Sequence, residues 1–436
     1  MRLSSICSDA PALPYRDANG DNEAVVYRTE TLLSQTAAHG IYGRGTRVWT
    51  ARRVVNSSTE GQPLVVIKDY WVDTDRTREG DILYTLRSDV LTRDEKGAKT
   101  LLDHIPTVVH HGDVVISGQH DRTRSFEDII ATDSNGEHVS IDLEADINPT
   151  RVSADEGTST HLSQTSCVWR PVRKNILFLD PKTHYRVVFH EYRQSLQDEK
   201  SLQAAFIAVR DVTRCLATLH RMSWVHRDIS AGTILVVRDQ SSPGQAPTLR
   251  GLLMDFELLH VGGSRQSPVL VQYGRNLEIP PPLISLPPFR YHPLNDWESL
   301  WWVSLYMIVY RVLAGTYKPG ETFEEQLDVA LTLFYDRGSR RSFLTVGRNE
   351  LDHKLERCLH PDIRYVLDML IRLRGALVRA YNSVENDCTE HPDPTRSRLS
   401  ITSTFTRTIF AICQYLDSCR RLLIEPIPVP HWGNRC

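Results

Sequence analysis

The chain has 436 residues, 41% of them hydrophobic and 24% charged, with a formal net charge of -3. That is the make-up of a globular protein long enough for two or three structural units and a sizeable core. The near-neutral balance argues against a nucleic-acid partner or a basic membrane-surface role. The 8 cysteines show no Cys-x-x-Cys spacing and no His cluster that would complete a zinc site, so free thiols in a reducing compartment are expected. No charged n-region followed by an apolar core opens the chain, so the expected location is intracellular, cytoplasmic or nuclear. The most apolar stretch, residues 300–314, is too short to span a bilayer; it contains Ser304, Tyr306, Tyr310 and Arg311 and reads as a buried core helix.

In chain order, residues 1–25 are polar, with Pro11, Pro14 and Gly20, and read as a loose lead-in. Residues 27–38 have the pattern of a helix. Residues 40–55, with Gly43 and Gly45 one residue apart, read as strand, tight turn and strand. After a turn at 56–61, Leu64, Val65, Val66 and Ile67 form a third strand that ends in Lys68. Residues 73–86 place Ile82, Leu83 and Leu86 at helical spacing, with Glu79 among them. Residues 103–165 mix short apolar pieces with polar stretches and carry no clear period; 154–166 is a Ser/Thr/Gly-rich loop. Residues 174–179 and 185–189 read as two more strands, and His190, Glu191 and Tyr192 as a connector.

From Leu202 the period becomes helical, with Phe206, Val209, Val212, Leu216 and Leu219 on one face. This helix leads into Trp224-Val225-His226-Arg227-Asp228, a polar loop, and an apolar strand from Ile234 to Val237. A second apolar run, Leu252-Leu253-Met254, is broken by Asp255-Phe256-Glu257. A Gly/Ser/Pro-containing segment runs to about residue 288, and Asp296 opens the apolar helix. Further helices are expected at 362–384 and 402–423, followed by an extended tail from 425.

Two carboxylates on neighbouring short strands suit phosphoryl transfer. One can orient and deprotonate an attacking hydroxyl, and the other can hold a divalent cation on phosphates. Gly43-x-Gly45, Lys68, Glu79, His226-Arg227-Asp228, Asp255-Phe256 and Asp296-Trp297 occur in that order. Taken together they resemble a protein kinase. The chain is similar to the fungal-type protein kinase family through Gly43-Arg44-Gly45-Thr46, Ile67-Lys68-Asp69-x-Trp71, Glu79, His226-Arg227-Asp228-Ile229-Ser230 and Asp296-x-Glu298-Ser299-Leu300.

The resemblance implies an α+β, two-lobed protein kinase-like fold: an N-lobe built on a small antiparallel β-sheet and a mainly helical C-lobe. The boundaries it suggests are an extension at 1–39, an N-lobe at 40–192 with an insertion at about 103–165, a C-lobe at 193–424 and a tail at 425–436. It implies ATP and Mg²⁺ as cofactors and a Ser/Thr hydroxyl of a protein as acceptor, with no nucleic-acid or membrane partner. Asp228 would be the base, Lys68 would bind phosphates, Glu79 would hold Lys68, and Arg227 would anchor an acid or phosphate on the activation segment. Gly43 and Gly45 would cover the nucleotide, Asp255 would bind metal, and Thr233 would stand at the second metal position. Asp296 would brace the catalytic loop through its backbone amides.

Four positions depart from the usual kinase pattern. Val48 replaces a third glycine, Ser230 a lysine, Thr233 an asparagine, and Glu257 the glycine of Asp-Phe-Gly. A Thr hydroxyl is a poorer metal ligand than an Asn carbonyl oxygen. The nearest candidate for Ala-Pro-Glu is Glu278-Ile279-Pro280. The readings in play are therefore an active protein kinase, a pseudokinase kept for partner binding, and a small-molecule phosphotransferase of the same fold.

Overall fold

The architecture follows from one strand that is buried on both faces. Leu64–Asp73 (β3) is buried along nearly all its length, as a central strand should be. In the computed structural model, which describes residues 13–16, 22–35, 44–123, 181–191, 194–239, 248–261, 292–313, 321–335, 350–386, 394–419 and 422–426, β3 lies third in a five-stranded sheet. Its companions are Tyr27–Gln35 (β1), Arg47–Arg53 (β2), Val108–Asp113 (β4) and Lys182–Phe189 (β5). The spatial order is β1-β2-β3-β5-β4, antiparallel throughout. One face carries Val66, Tyr70, Val72, Tyr185 and Phe189 into the main core. The other buries Val65, Ile67 and Val188 in a small separate cluster with Val25, Tyr27 and Ala51.

The helix Glu79–Arg93 (α1) covers the core face with Ile82, Leu83, Leu86 and Val90. Glycine as its second residue leaves room for the His111 ring, which a Cβ on Gly80 would approach to 2.3 Å. Glu95–Leu102 (α2) follows, with Asp94 as its cap accepting from Gly97 N–H. Beyond the sheet the chain is mainly helical: Leu202–Arg221 (α3), Pro293–Val309 (α4), Glu321–Tyr335 (α5), Glu350–Cys358 (α6), Pro361–Asn386 (α7) and Pro394–Ser418 (α8). Ser201 caps α3. His292 and Asn295 form a capping box at the start of α4, with Pro293 at its first position. Trp297 and Trp301 of α4 are fully buried, and the Trp301 indole N–H donates to Leu370 O at 2.8 Å. Each contributes about 1.5–3 kcal/mol of hydrophobic stabilisation or more, as large buried side chains do.

Between α3 and α4 lies the hairpin Ile234–Asp239 (β6) and Thr248–Leu253 (β7). It packs on α3 at Gly251, whose missing side chain lets the strand approach the Ala208 backbone. Gly251 N–H donates to buried Asp211 at 3.1 Å. Ile234 pairs with Leu253, and Met254 N–H bonds Thr233 O at 2.8 Å. The residues before β6 and after β7 therefore emerge side by side, which is what brings Asp228 and Asp255 to one end of the hairpin.

The α+β class with an antiparallel sheet and a helical remainder matches expectation. Several elements differ from their sequence reading. Residues 27–35 are a strand, not a helix: Tyr27, Thr29 and Thr31 are strand formers, and the ladder to β2 outweighs the local helical pattern. Part of the supposedly loose lead-in forms a hairpin, Leu13–Arg16 with Asn22–Val25. β3 runs on past Lys68 to Asp73, so α1 begins at Glu79 rather than at 73. The apolar helix at 300–314 stops at Val309, and Arg311–Leu313 turns into a strand paired with Ile424–Pro426. The helix expected at 402–423 instead starts at Pro394 and ends at Ser418. The expected strand at 174–179, most of the 103–165 stretch, and Glu278-Ile279-Pro280 lie outside the described residues. Cys215, Cys358, Cys413 and Cys419 are free, and among the described residues no helix is long and apolar enough to cross a membrane.

Two glycines separate packing from propensity. Gly251→Ala drives a Cβ to 2.5 Å from Ala208 O and should destabilise by about 1–3 kcal/mol. Gly375→Ala, inside α7 with only the flexible Arg379 tip at 3.4 Å, should stabilise by about 0.5–1 kcal/mol. Urea unfolding of both variants checks the pair.

Candidate active site

Side chains alternate across a strand, so Lys68 shares the α1-facing side of β3 with Val66, Tyr70 and Val72, while Asp69 points the other way. On that outer side Asp69 takes Arg47 at 2.7 Å, Arg186 at 2.6 Å and His184 at 2.6 Å. Burial alone would raise its pKa, but His184 and Arg186 outweigh burial and bring it to about 2.

The Lys68 side chain is 8% exposed, and its Nζ lies 3.0 Å from Glu79 Oε2 and 2.5 Å from Asp255 Oδ1. The ammonium also sits over the Tyr70 ring, 4.5 Å from its centroid. Tyr70 O–H donates to Glu79 Oε2 at 3.2 Å, and Phe256 N–H donates to Glu79 Oε1 at 3.0 Å. Glu79, the first residue of α1, therefore joins the sheet, the helix and the residue after Asp255. Burial works against a charged Lys68, yet Asp255 and Glu79 together hold its pKa above the ordinary lysine value. Burial likewise opposes an ionised Asp255, and the Lys68 charge and hydrogen bond lower its pKa nonetheless. Burial, and then Glu79, push the Tyr70 hydroxyl well up, so it stays a donor. Glu257 is a further carboxylate in the same cluster: 3.7 Å from Lys68 Nζ, buried, and ion-paired with Arg44 ahead of β2.

The loop bearing Asp228 hangs from Asp296 at the start of α4. Asp296 Oδ2 accepts from His226 N–H at 2.8 Å and pairs with His220 Nε2 at 2.9 Å, while its Oδ1 accepts from Arg227 N–H at 2.9 Å. Burial alone would raise the Asp296 pKa; the bond to His220 and its neighbours' charges bring it below the usual carboxylate range. Arg227 has φ of 76° and Asp255 has φ of 63°, both left-handed conformations that cost about 1–3 kcal/mol each in non-glycine residues and persist only when neighbours hold them. His226 Nδ1 accepts from Asp228 N–H at 3.3 Å and Nε2 bonds Met254 O at 3.0 Å. That pairing places the proton on Nε2, and burial lowers the ring's pKa, so His226 is neutral. Its ring meets Phe256 edge-on at 4.8 Å.

Thr233 Oγ1 donates to Asp228 O at 2.9 Å and accepts from Ser230 N–H at 2.9 Å. Its hydroxyl is thus spent on shaping the loop.

Of the residues singled out in the sequence, Lys68, Glu79 and Asp255 meet directly. Asp228 is tied to them through His226 and Met254. Arg227 and Thr233 lie within the same loop. Gly45 is left-handed, with φ of 54°, and Arg44 O accepts from Trp71 N–H at 2.8 Å, which seats this turn on β3. Gly43 lies outside the described residues. Tyr70, His220 and Arg44 had been given no role. Tyr70 was findable two residues beyond Lys68 on the same strand face, and His220 as a polar residue on the apolar side of α3; nothing local distinguishes Arg44.

A sequence family described as "Fungal protein kinase" matches residues 11–308. Among solved structures, one titled "Structure of vaccinia related kinase 3" matches with a TM-score of 0.42 and 13% identity, covering 97% of each chain. No curated protein matches.

Lys68→Met leaves the buried Glu79 carboxylate without its cation and should cost about 3–5 kcal/mol at neutral pH. The lowered pKa of Asp255 adds stability that is present above the unfolded carboxyl pKa of about 3.9 and lost as pH falls. The gap between wild type and variant should therefore hold from pH 7 to about 5 and narrow only as pH falls through the unfolded value of about 3.9 and below, measured by urea unfolding from about pH 7 to about 2.5.

Proposed function

Since this chain belongs to the fungal protein kinase family, we propose that it transfers the γ-phosphoryl group of ATP to a Ser/Thr hydroxyl of a protein substrate. The observation that carries this reading is the contact of Lys68 with both Glu79 and Asp255, at 3.0 Å and 2.5 Å. A kinase needs its strand lysine paired with the helix glutamate while the metal-binding acid is also in place, and here all of them meet in one cluster.

In this reading Asp228 accepts the proton of the attacking hydroxyl and orients it. The neutral His226 ring and the Asp296 carboxylate fix its backbone, so the base is positioned before substrate arrives. Lys68 neutralises phosphate oxygens, and Glu79 keeps its amine from folding back onto Asp255 alone. Arg227 anchors an acid or phosphate on the segment after Glu257, and Gly45, with Gly43, covers the nucleotide. Mg²⁺, when bound, offsets the negative charge developing on the phosphates.

The donor set fits such a cation in part. The Asp255 side chain is 35% exposed and can add a ligand. Among the described residues no group of three or more metal-binding side chains gathers, so the remaining ligands come from phosphates and water, as is usual for magnesium. Thr233, the other residue expected at the metal, has its hydroxyl engaged within the loop. Its part is to hold the loop, and any second cation is weakly held.

That engaged hydroxyl is also what favours the second reading, a pseudokinase that keeps the nucleotide seat without the chemistry. Labelled ATP with Mg²⁺ and a generic basic protein separates the two. Transfer should be detectable and should fall by about 10²–10⁴-fold in Asp228→Asn, while the rise in melting temperature with ATP and Mg²⁺ is retained. A melting shift without transfer in the wild type supports the pseudokinase. No shift at millimolar nucleotide refutes both readings, and undiminished transfer in Asp228→Asn refutes the choice of base.

A further inference from the structure

Away from the nucleotide cluster, α3 and α8 enclose a cavity of about 700 Å³, within the range of small-ligand sites, about 300–1,000 Å³. We propose that it is a binding site for a small amphiphilic anion: an apolar body carrying a phosphate or carboxylate group.

The charge around the cavity is one-sided. Arg210, Arg214, Arg221 and Arg407 line it, and among the described residues no Asp or Glu does. Arg210 is matched by Asp211 at 2.8 Å and Arg221 by Asp94 at 2.6 Å. Among the described residues Arg214 has only Asp211, at 4.0 Å, and that carboxylate already serves Arg210 and the Gly251 N–H. Arg407, exposed on α8, makes no ion pair among the described residues. Arg407, and Arg214 with its distant and shared carboxylate, thus keep donors to spare at the cavity, and guanidinium forks favour phosphate and carboxylate oxygens.

The inner wall is of a different character. Ala217 and Ile409 are buried there, and Phe410 keeps 45% of its surface exposed beside them. An inorganic ion would leave this apolar wall against water, whereas an amphiphile covers it.

A third observation comes from His220, which lines the cavity and is 5% exposed. Its Nε2 is committed to Asp296. The opposite ring nitrogen, Nδ1, is buried and has no hydrogen-bond partner. Such an orphan costs about 1–3 kcal/mol when left unmet; it is sealed from solvent, so His220 offers the cavity its ring as wall rather than a polar contact. The His220–Asp296 pair separates this cavity from the loop bearing Asp228, so the site is distinct from the nucleotide cluster and its occupant need not compete with ATP.

Calorimetric titration of the full chain with octyl phosphate tests the proposal. One saturable site is expected, with octanol and inorganic phosphate each weaker by about tenfold or more. Arg214→Gln with Arg407→Gln should weaken octyl phosphate by about tenfold or more, and Ala217→Phe, which puts a ring into the apolar wall, should weaken it as far. Both exposed arginines can be changed without touching the core, and circular dichroism melting checks that each variant is folded. Saturating ADP should leave the titration unchanged. Unaltered binding in the folded double variant, inorganic phosphate binding as tightly as octyl phosphate, competition by ADP, or no binding at millimolar concentration would each overturn the proposal. None of these outcomes depends on whether phosphoryl transfer is observed.

Discussion

A single ammonium group, Lys68 Nζ, stands where the sheet, α1 and the hairpin end meet, and it is surrounded by carboxylates: Glu79 at 3.0 Å, Asp255 at 2.5 Å and Glu257 at 3.7 Å. Buried carboxylates are expensive unless they are paired and hydrogen-bonded. Glu79 meets that condition through Lys68, the Tyr70 hydroxyl and the Phe256 amide. Even with Arg44 counted against Glu257, the cluster holds one more carboxylate than it has cations. It is therefore short of positive charge. The same excess explains why the cluster ties the two parts of the molecule together: neither the sheet side nor the hairpin side can leave without exposing an uncompensated charge.

Asp296 does for the loop what Lys68 does for the cleft. Arg227 sits in a left-handed conformation that its side chain does not favour. One buried carboxylate collects the amides of His226 and Arg227 together with the His220 ring, and the hydrogen bonds outweigh the backbone strain. The Thr233 hydroxyl repeats the device at the far end of the loop, tying Asp228 O to Ser230 N–H. Where an asparagine could both tie the loop and reach a metal, threonine is short enough to do only the first. The difference follows from side-chain reach rather than from any loss of the surrounding frame.

What was legible beforehand was periodicity and order. The 3.6-residue spacing of Leu202, Phe206, Val209, Val212, Leu216 and Leu219 is that of α3, and the apolar runs around Ile234 and Leu252 are strands. Misreadings fall where long-range pairing decides the outcome. Residues 27–35 have little burial to impose a period of two, so only the ladder to β2 makes them a strand. Arg311–Leu313 continues an apolar run that reads as helix, but Ile424–Pro426, more than a hundred residues later, recruits it into a two-stranded pair. The segment at 103–123 showed no period because its pieces are short: β4 is an edge strand of intermediate burial throughout.

The sequence by itself determined which side chains were available for the chemistry and in what order they come: an amine on an apolar strand, an acid within the helical stretch that follows, and two acids flanking a short hairpin. Those are local properties, written in composition and spacing. Only the tertiary structure decided that Lys68 and Asp255, 187 residues apart, share a hydrogen bond, that Asp296 and His220 stand behind the loop, and that four arginines from two helices ring one cavity. Such convergence depends on strand register and helix packing, which are set by the burial of the whole core at once; no window of sequence contains it.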